Sequence, residues 1–293
     1  MSLVTNKACL VQQAVVGEIS HPTLRKTGYV ISSRGRVAVF PSVGGITYNC
    51  RIGDSAIHWE ADHVEPGVSI RNFAPSFGEY SPNAALNVLA CIGNKAVVIS
   101  GEAKGAVGYV TGKHGGIDHV MVDFPAEVLK KLNIGDRIRV HAFGTGLKLR
   151  DYPDVTLMSM DPDLFEKLPI QEAGGKLRVG VTHIIPAKLM GAGLGNTSAY
   201  SGDYDIQLFD ETAIRKYRLD QLRFGDLVAI IDSDATFGWI FKEGAVTIGV
   251  IAHSNSVVSG HGPGVTTIMT TPEAIIEPYI DPDVNLKQLL YYQ

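Results

Sequence analysis

From Val246 to Ile251 the chain is almost continuously apolar and β-branched, and Val265 to Ile268 resumes that composition after a polar, glycine-rich interval. Such runs predict strands covered on both faces, with the interval between them a loop on a rigid scaffold. Thr271-Pro272-Glu273 then carries the cap-and-proline signature of a helix start. Earlier in the chain the same patterns predict strands over 95–100, 106–111, 120–124 and 137–140, with Gly112 to Gly116 as a turn. Ser81-Pro82-Asn83 predicts a helix through about Cys91, and shorter helices are expected over 126–132 and 161–168.

Leu132-Asn133-Ile134-Gly135-Asp136 and Leu222-Arg223-Phe224-Gly225-Asp226 each follow a short helical stretch and each precede a strand. Leucine can plug a barrel end, glycine permits the turn and aspartate accepts backbone N–H bonds. The expected fold is therefore mainly β, barrel- or sandwich-like, with a few short helices and two halves; the repeat marks them as related by duplication or is a turn common in β proteins. Gln171 to Lys176 reads as the linker, which divides the chain into 1–170 and 176–293.

Composition narrows the partners. Of 293 residues, 45% are hydrophobic and 19% charged, with a formal net charge of −4, which suits a soluble globular chain and disfavours nucleic acid or an anionic membrane surface. Cys9, Cys50 and Cys91 are widely spaced and odd in number, so a reducing, cytoplasmic setting is expected in place of a disulfide framework. A homo-oligomer is also expected.

Candidate chemistry gathers in loops. His58-Trp59-Glu60-Ala61-Asp62-His63-Val64-Glu65 holds five potential metal ligands in eight residues; if 63–65 is extended, His63 and Glu65 share a face and act either as metal ligands or as base and orienter. A polar surface loop is the competing reading. His114 and His119 bracket Gly115 to Asp118 and either cap turn carbonyls or take part in catalysis. Asp203 and Asp205 alternate, as do Asp232 and Asp234, so either pair offers oxygen ligands to Mg²⁺ or Ca²⁺. Gly191, Gly193 and Gly195 lack the following amphipathic helix that a dinucleotide fold needs, so no nucleotide cofactor is expected.

Taken together, GGITYN, DHVEPGVS, GKHGGIDHV, MGAGLG, GDYDIQ, LRFGDLVAI and HGPGVTTIMT resemble the family known as Domain of Unknown Function 4438, over nearly the whole chain. The resemblance implies a soluble prokaryotic protein with N- and C-terminal parts and brings no assigned catalytic residue. The residues themselves lead to a hydrolase or lyase acting on a small polar or anionic metabolite. In that reading His63, His119 or His261 is the acid/base, Asp62, Glu65 or Asp118 orients it or helps hold a divalent metal, and Ser254 with the glycines at 191, 193, 195, 260, 262 and 264 binds ligand. The alternative is a non-catalytic ligand-binding or assembly module.

Overall fold

The computed structural model describes residues 3–291. Six strands of the first half, β1 (Gln13–Ile19), β2 (Gly67–Arg71), β3 (Lys95–Val98), β4 (Val107–His114), β5 (His119–Asp123) and β6 (Arg137–Ala142), pair in the order β1-β6-β3-β4-β5-β2. Glu18 and Ile19 then pair with Arg71 and Ile70, so β2 returns to β1 and the antiparallel sheet closes into a barrel. Closure leaves no free edge among these six strands. β6 shows why the pattern works: Arg137, Arg139 and His141 are exposed while Ile138, Val140 and Ala142 are buried, a strict alternation that puts the arginines on the solvated face. Each fully buried branched aliphatic side chain contributes roughly 1.5–3 kcal/mol.

The second half is an open mixed sheet. β7 (His183–Pro186), β8 (Leu227–Asp234), β9 (Ile240–Ile251) and β10 (Gly264–Thr271) lie in that order, with β7 and β8 parallel and Thr156–Leu157 on the far side of β10. Leu227 and Ala229 face the core shared with the barrel, whereas Val228 and Ile230 face a second apolar cluster around Tyr204 and Trp239. Cover on both faces accounts for the unbroken apolar runs in this sheet.

Three local expectations are corrected. Gly112, Lys113 and His114 are the end of β4 and not a turn, the turn being displaced to Gly115–Asp118. The 171–176 segment is a hairpin: Ile170–Ala173 pairs with Lys176–Val181 around Gly174 and Gly175, both at positive φ. Thr271 does not start a helix. Its hydroxyl accepts from Glu273 N at 3.3 Å in a local turn, and Ile276–Ile280 continues as a strand parallel to Lys176–Val181, because this β-branched segment pairs along an open edge.

The recurrent Gly-Asp turn is real, and its chemistry is the expected one. Asn133 N donates to Asp136 Oδ2 at 2.8 Å and Arg223 N to Asp226 Oδ2 at 2.9 Å, with Gly135 and Gly225 at φ of +86° and +80°. A third copy at Arg51 to Asp54 makes the same 2.9 Å bond, with Cys50 in place of the leucine. Turn chemistry thus suffices to explain the recurrence.

The halves are sewn together beside β4. Lys113 N donates to Thr266 Oγ1 at 3.0 Å, and the Thr266 hydroxyl donates back to Lys113 O at 3.2 Å. The Lys113 side chain is wholly buried; its Nζ donates to Ser159 Oγ at 2.9 Å and to Tyr200 O at 2.6 Å. Burial lowers its pKa from 10.5 to about 8. Below pH 8 the native state therefore bears a penalty of about 3 kcal/mol, relieved as pH rises towards 10.5, where the unfolded lysine also loses its proton. Urea unfolding of Lys113→Met is expected to lose this rise in stability between pH 8 and 10, with stability at pH 7 at or above the parent's. An unchanged slope would show that Lys113 is not its source.

Candidate metal centre

Five of the nine histidines meet at the seam between barrel and sheet. His114 ends β4 and His119 begins β5, paired across the hairpin mouth. His253 follows β9 and His261 precedes β10, so the loop after the apolar run brings its two imidazoles to the same place. Asp203 and Asp205 flank Tyr204, Asp203 just before and Asp205 within the short Tyr204–Asp205 strand paired with the start of β10. The buried Tyr204 ring, stacked on Trp239 at 5.0 Å, directs both carboxylates to the opposite side. His63 arrives on a segment held by Val64 N to Ser254 Oγ at 2.8 Å and Ser254 N to Val64 O at 2.9 Å.

Two triads result: His63, His261 and Asp205, and His114, His253 and Asp203, with the ligand atoms of each triad within 4.8 Å of one another. In the first, His63 Nε2 lies 3.0 Å from His261 Nδ1 and 3.7 Å from Asp205 Oδ2, which is 3.3 Å from His261 Nδ1. In the second, His253 Nε2 lies 2.7 Å from Asp203 Oδ2. Asp205 joins them: while Oδ2 faces the first triad, Oδ1 is 3.6 Å from His253 Nε2. The His114 and His253 rings stack at 4.3 Å.

The outer nitrogens are already engaged. His63 Nδ1 meets Asp62 Oδ2 at 3.1 Å, His114 Nδ1 meets Glu65 Oε1 at 2.7 Å, and His253 Nδ1 meets Ser254 O at 2.9 Å. That leaves each Nε2 as the inward atom, the arrangement by which a carboxylate or carbonyl orients a metal-binding imidazole. Glu65 is wholly buried and also binds His119 Nδ1 at 2.9 Å, Gly44 N at 2.8 Å and Ser69 Oγ. Ser256 Oγ donates to Asp62 Oδ1 at 2.7 Å.

Charge and geometry both point to a cation. Burial opposes ionisation of Glu65 and Asp205, yet the adjoining imidazoles, His114 and His119 beside Glu65 and His253, His261 and His63 beside Asp205, hold both carboxyls well below the usual range. Burial likewise opposes charge on His253, but the Asp203 and Asp205 carboxylates drive its pKa well above the ordinary value. Despite their 2.7 Å approach, neither Asp203 Oδ2 nor His253 Nε2 has a hydrogen-bond partner among the described residues. Two buried polar atoms converging side by side fit ligands of a shared ion better than a donor and its acceptor. The mixed imidazole and carboxylate set suits zinc, iron, cobalt or manganese more than the Mg²⁺ or Ca²⁺ suggested by aspartates alone.

The expected residues sort clearly against this geometry. His63 and His261 are in the centre, with Asp62 and Glu65 directly behind it. Their route differs from the expected extended strand: His63 has φ of +55°, so the chain bends there and Glu65 turns to His114 and His119. His119 binds Glu65 and is a positioning residue. Asp118 is a correction, since its side chain is exposed at a turn of φ +57° and it is its carbonyl that accepts from Asn83 and Asn87. His58 and Glu60 are exposed. Asp232 and Asp234 accept from Gly244 N and Thr236 N as turn caps, so that pair is structural.

The glycines and Ser254 serve the scaffold. Gly191 N, Gly195 N and Gly262 N donate to Asp205 O, Trp239 O and Asp205 Oδ2, so these groups are spent within the protein and not on a ligand. At Gly193 and Gly191 a side chain would collide with Asp203 O and Gly260 O respectively, and Gly260 O accepts from Ala192 N at 2.6 Å. Gly264 lies flush against Asp203 Oδ2 and His253 Nε2, leaving no space for a Cβ. Ser254 Oγ donates to Asn255 O while holding the His63 segment. The sequence pointed to Asp203 and Asp205 only as an alternating pair and to His114 only as one of two histidines bracketing a turn, and nothing in it joined either to His253 in the loop after the apolar run.

An open pocket of about 330 Å³ reaches His63, His114 and His261 from solvent. A larger depression of about 470 Å³ near His141 and Asp161 shows no such convergence, since Asp161 caps the helix at Pro162 and accepts from Asn94 Nδ2.

Models of the Domain of unknown function (DUF4438) family match 29–166 for its N-terminal part and 167–290 for its C-terminal part. The chain is also similar to a solved structure, the crystal structure of TM1086, with 47% identity over 98% of this chain and 99% of that one and a TM-score of 0.92. Comparison with curated proteins gives no match. No helix among the described residues is long and apolar enough to cross a membrane.

Proposed function

We propose, from the premise that the chain belongs to the DUF4438 family, that it is a metal-dependent hydrolase acting on a small polar or anionic metabolite. The observation that carries this reading is the set of three imidazoles whose outer nitrogens are tied down while their inner nitrogens converge on Asp203 and Asp205. His63, His261 and Asp205 would hold one cation and His114, His253 and Asp203 a second, with the Asp205 carboxylate shared between them. Divalent ions so placed supply Lewis acidity and a water nucleophile near neutral pH. Asp62 and Glu65 fix the orientations of the His63 and His114 rings.

Elemental analysis of protein purified without metal-affinity resin, paired with hydrolysis assays on ester, amide and phosphoester panels before and after chelation, tests the proposal. About two ions per chain and hydrolysis that chelation abolishes are expected. Absence of ions together with no calorimetric binding of zinc, manganese, cobalt or iron(II) would overturn it. Stoichiometric metal without hydrolysis on any panel would favour a non-catalytic ligand-binding module.

A further inference from the structure

We infer that the ligand admitted to this centre is an anion, carrying a carboxylate or a phosphate, and that Arg25 recognises it. The inference rests on the metal-centre reading and narrows its substrate class. Thr23, Leu24 and Arg25 line the 330 Å³ pocket together with His63, His114 and His261, and Thr23 N to Val43 O at 2.9 Å anchors this segment there. Arg25 N and O belong to its tip, where Gly28 N donates to Arg25 O at 2.8 Å.

Among the pocket's residues Arg25 alone is a lysine or arginine, and among the described residues its guanidinium has no ion pair and no hydrogen bond. Every carboxylate near the centre, in contrast, is already committed. Asp62, which also lines the pocket, accepts from Ser256 and faces His63; Glu65 is shared by His114 and His119; Asp203 and Asp205 face His253 and His261. All four are 7% exposed or less at the side chain, so negative charge is held behind the imidazoles while the free positive charge stands at the mouth. A planar guanidinium in the same pocket as the proposed cation-binding triads matches a ligand with two or three anionic oxygens, which the fork can take in a bidentate pair. Leu24, Val43 and Ile117 complete the wall and leave room for a short apolar segment beside the anionic group.

The test is calorimetric titration of inorganic phosphate, and separately acetate, into zinc-loaded and metal-free protein, for the parent, Arg25→Ala and Arg25→Lys. Arg25 is exposed, so metal content and melting temperature are expected to be unchanged in both variants. Phosphate or acetate affinity is expected to fall at least about tenfold in Arg25→Ala and by less in Arg25→Lys, which keeps charge but loses the fork; the anion with the larger fall identifies the class. Parent-like affinity in Arg25→Ala, or no binding of either anion to any form, would overturn the inference. Arg25-dependent binding to protein that takes up no metal would uphold Arg25 and overturn the metal centre instead.

Discussion

Asp205→Asn is expected to abolish the proposed two-ion binding. The shared carboxylate faces His63 and His261 with one oxygen and His253 with the other, so one substitution weakens both triads. The amide keeps the shape and loses the negative charge, and removal of a direct ligand is expected to exceed the roughly 10–100-fold loss typical of an outer-shell change. Titration with zinc or cobalt followed by mass spectrometry under native conditions should show one ion or fewer per chain, with hydrolysis lost in parallel. Asp234→Asn, altering a carboxylate that accepts from Thr236 and Thr270 and touches neither triad, provides the control and should retain parent stoichiometry. Two tightly bound ions in Asp205→Asn would remove the bridging role.

Glu65→Ala is expected to destabilise the fold by about 3–5 kcal/mol, the usual cost of removing one partner from a buried charged cluster. The wholly buried carboxylate accepts from Gly44 N and Ser69 Oγ and faces Nδ1 of His114 and of His119; alanine leaves all four without an acceptor. Glu65→Gln should cost less, because one oxygen still accepts, while its NH₂ opposes an imidazole nitrogen now compelled to change tautomer. Chemical denaturation read by tryptophan fluorescence gives the comparison. A loss below about 1 kcal/mol in the alanine variant would mean that the imidazoles are held by other contacts.

Much of the fold was legible in the residue pattern because its periods are strong. β6 alternates without error, and Ser81 caps Pro82–Leu89 through Ala84 N as its sequence predicts. The failures are local and physical. Thr271-Pro272-Glu273 has helix-start residues, yet pairing of Ile276–Ile280 with Lys176–Val181 decides the outcome. Gly112-Lys113-His114 has turn composition but belongs to a strand, since Gly112 lies against Ala252 of the opposing half and Lys113 finds buried acceptors. For the centre, local sequence isolated His63, Asp62, Glu65 and His261, whose residues cluster in polar loops. It gave no means of joining His114 to Asp203 and His253, because that triad exists only through barrel-to-sheet packing across more than eighty residues. The glycines misled for a related reason: they mark close backbone approach, and Gly264 against Asp203 and His253 shows that what approaches is the protein's own ligand set.

The division of donors between the two halves has a consequence for how this chain can vary. The stretch 29–166 brings His63 and His114, while 167–290 brings both aspartates, His253 and His261. Separated, each piece would be an incomplete chelator, whereas together, on the reading proposed above, they would let an ion act as a clasp, part of whose binding energy stabilises the register of the two pieces. Recombination that exchanged one piece for a divergent counterpart would therefore have to conserve the relative placement of the two to within a bond length. On the same reading, drift in either half would be constrained by the other, even at positions that never touch a ligand.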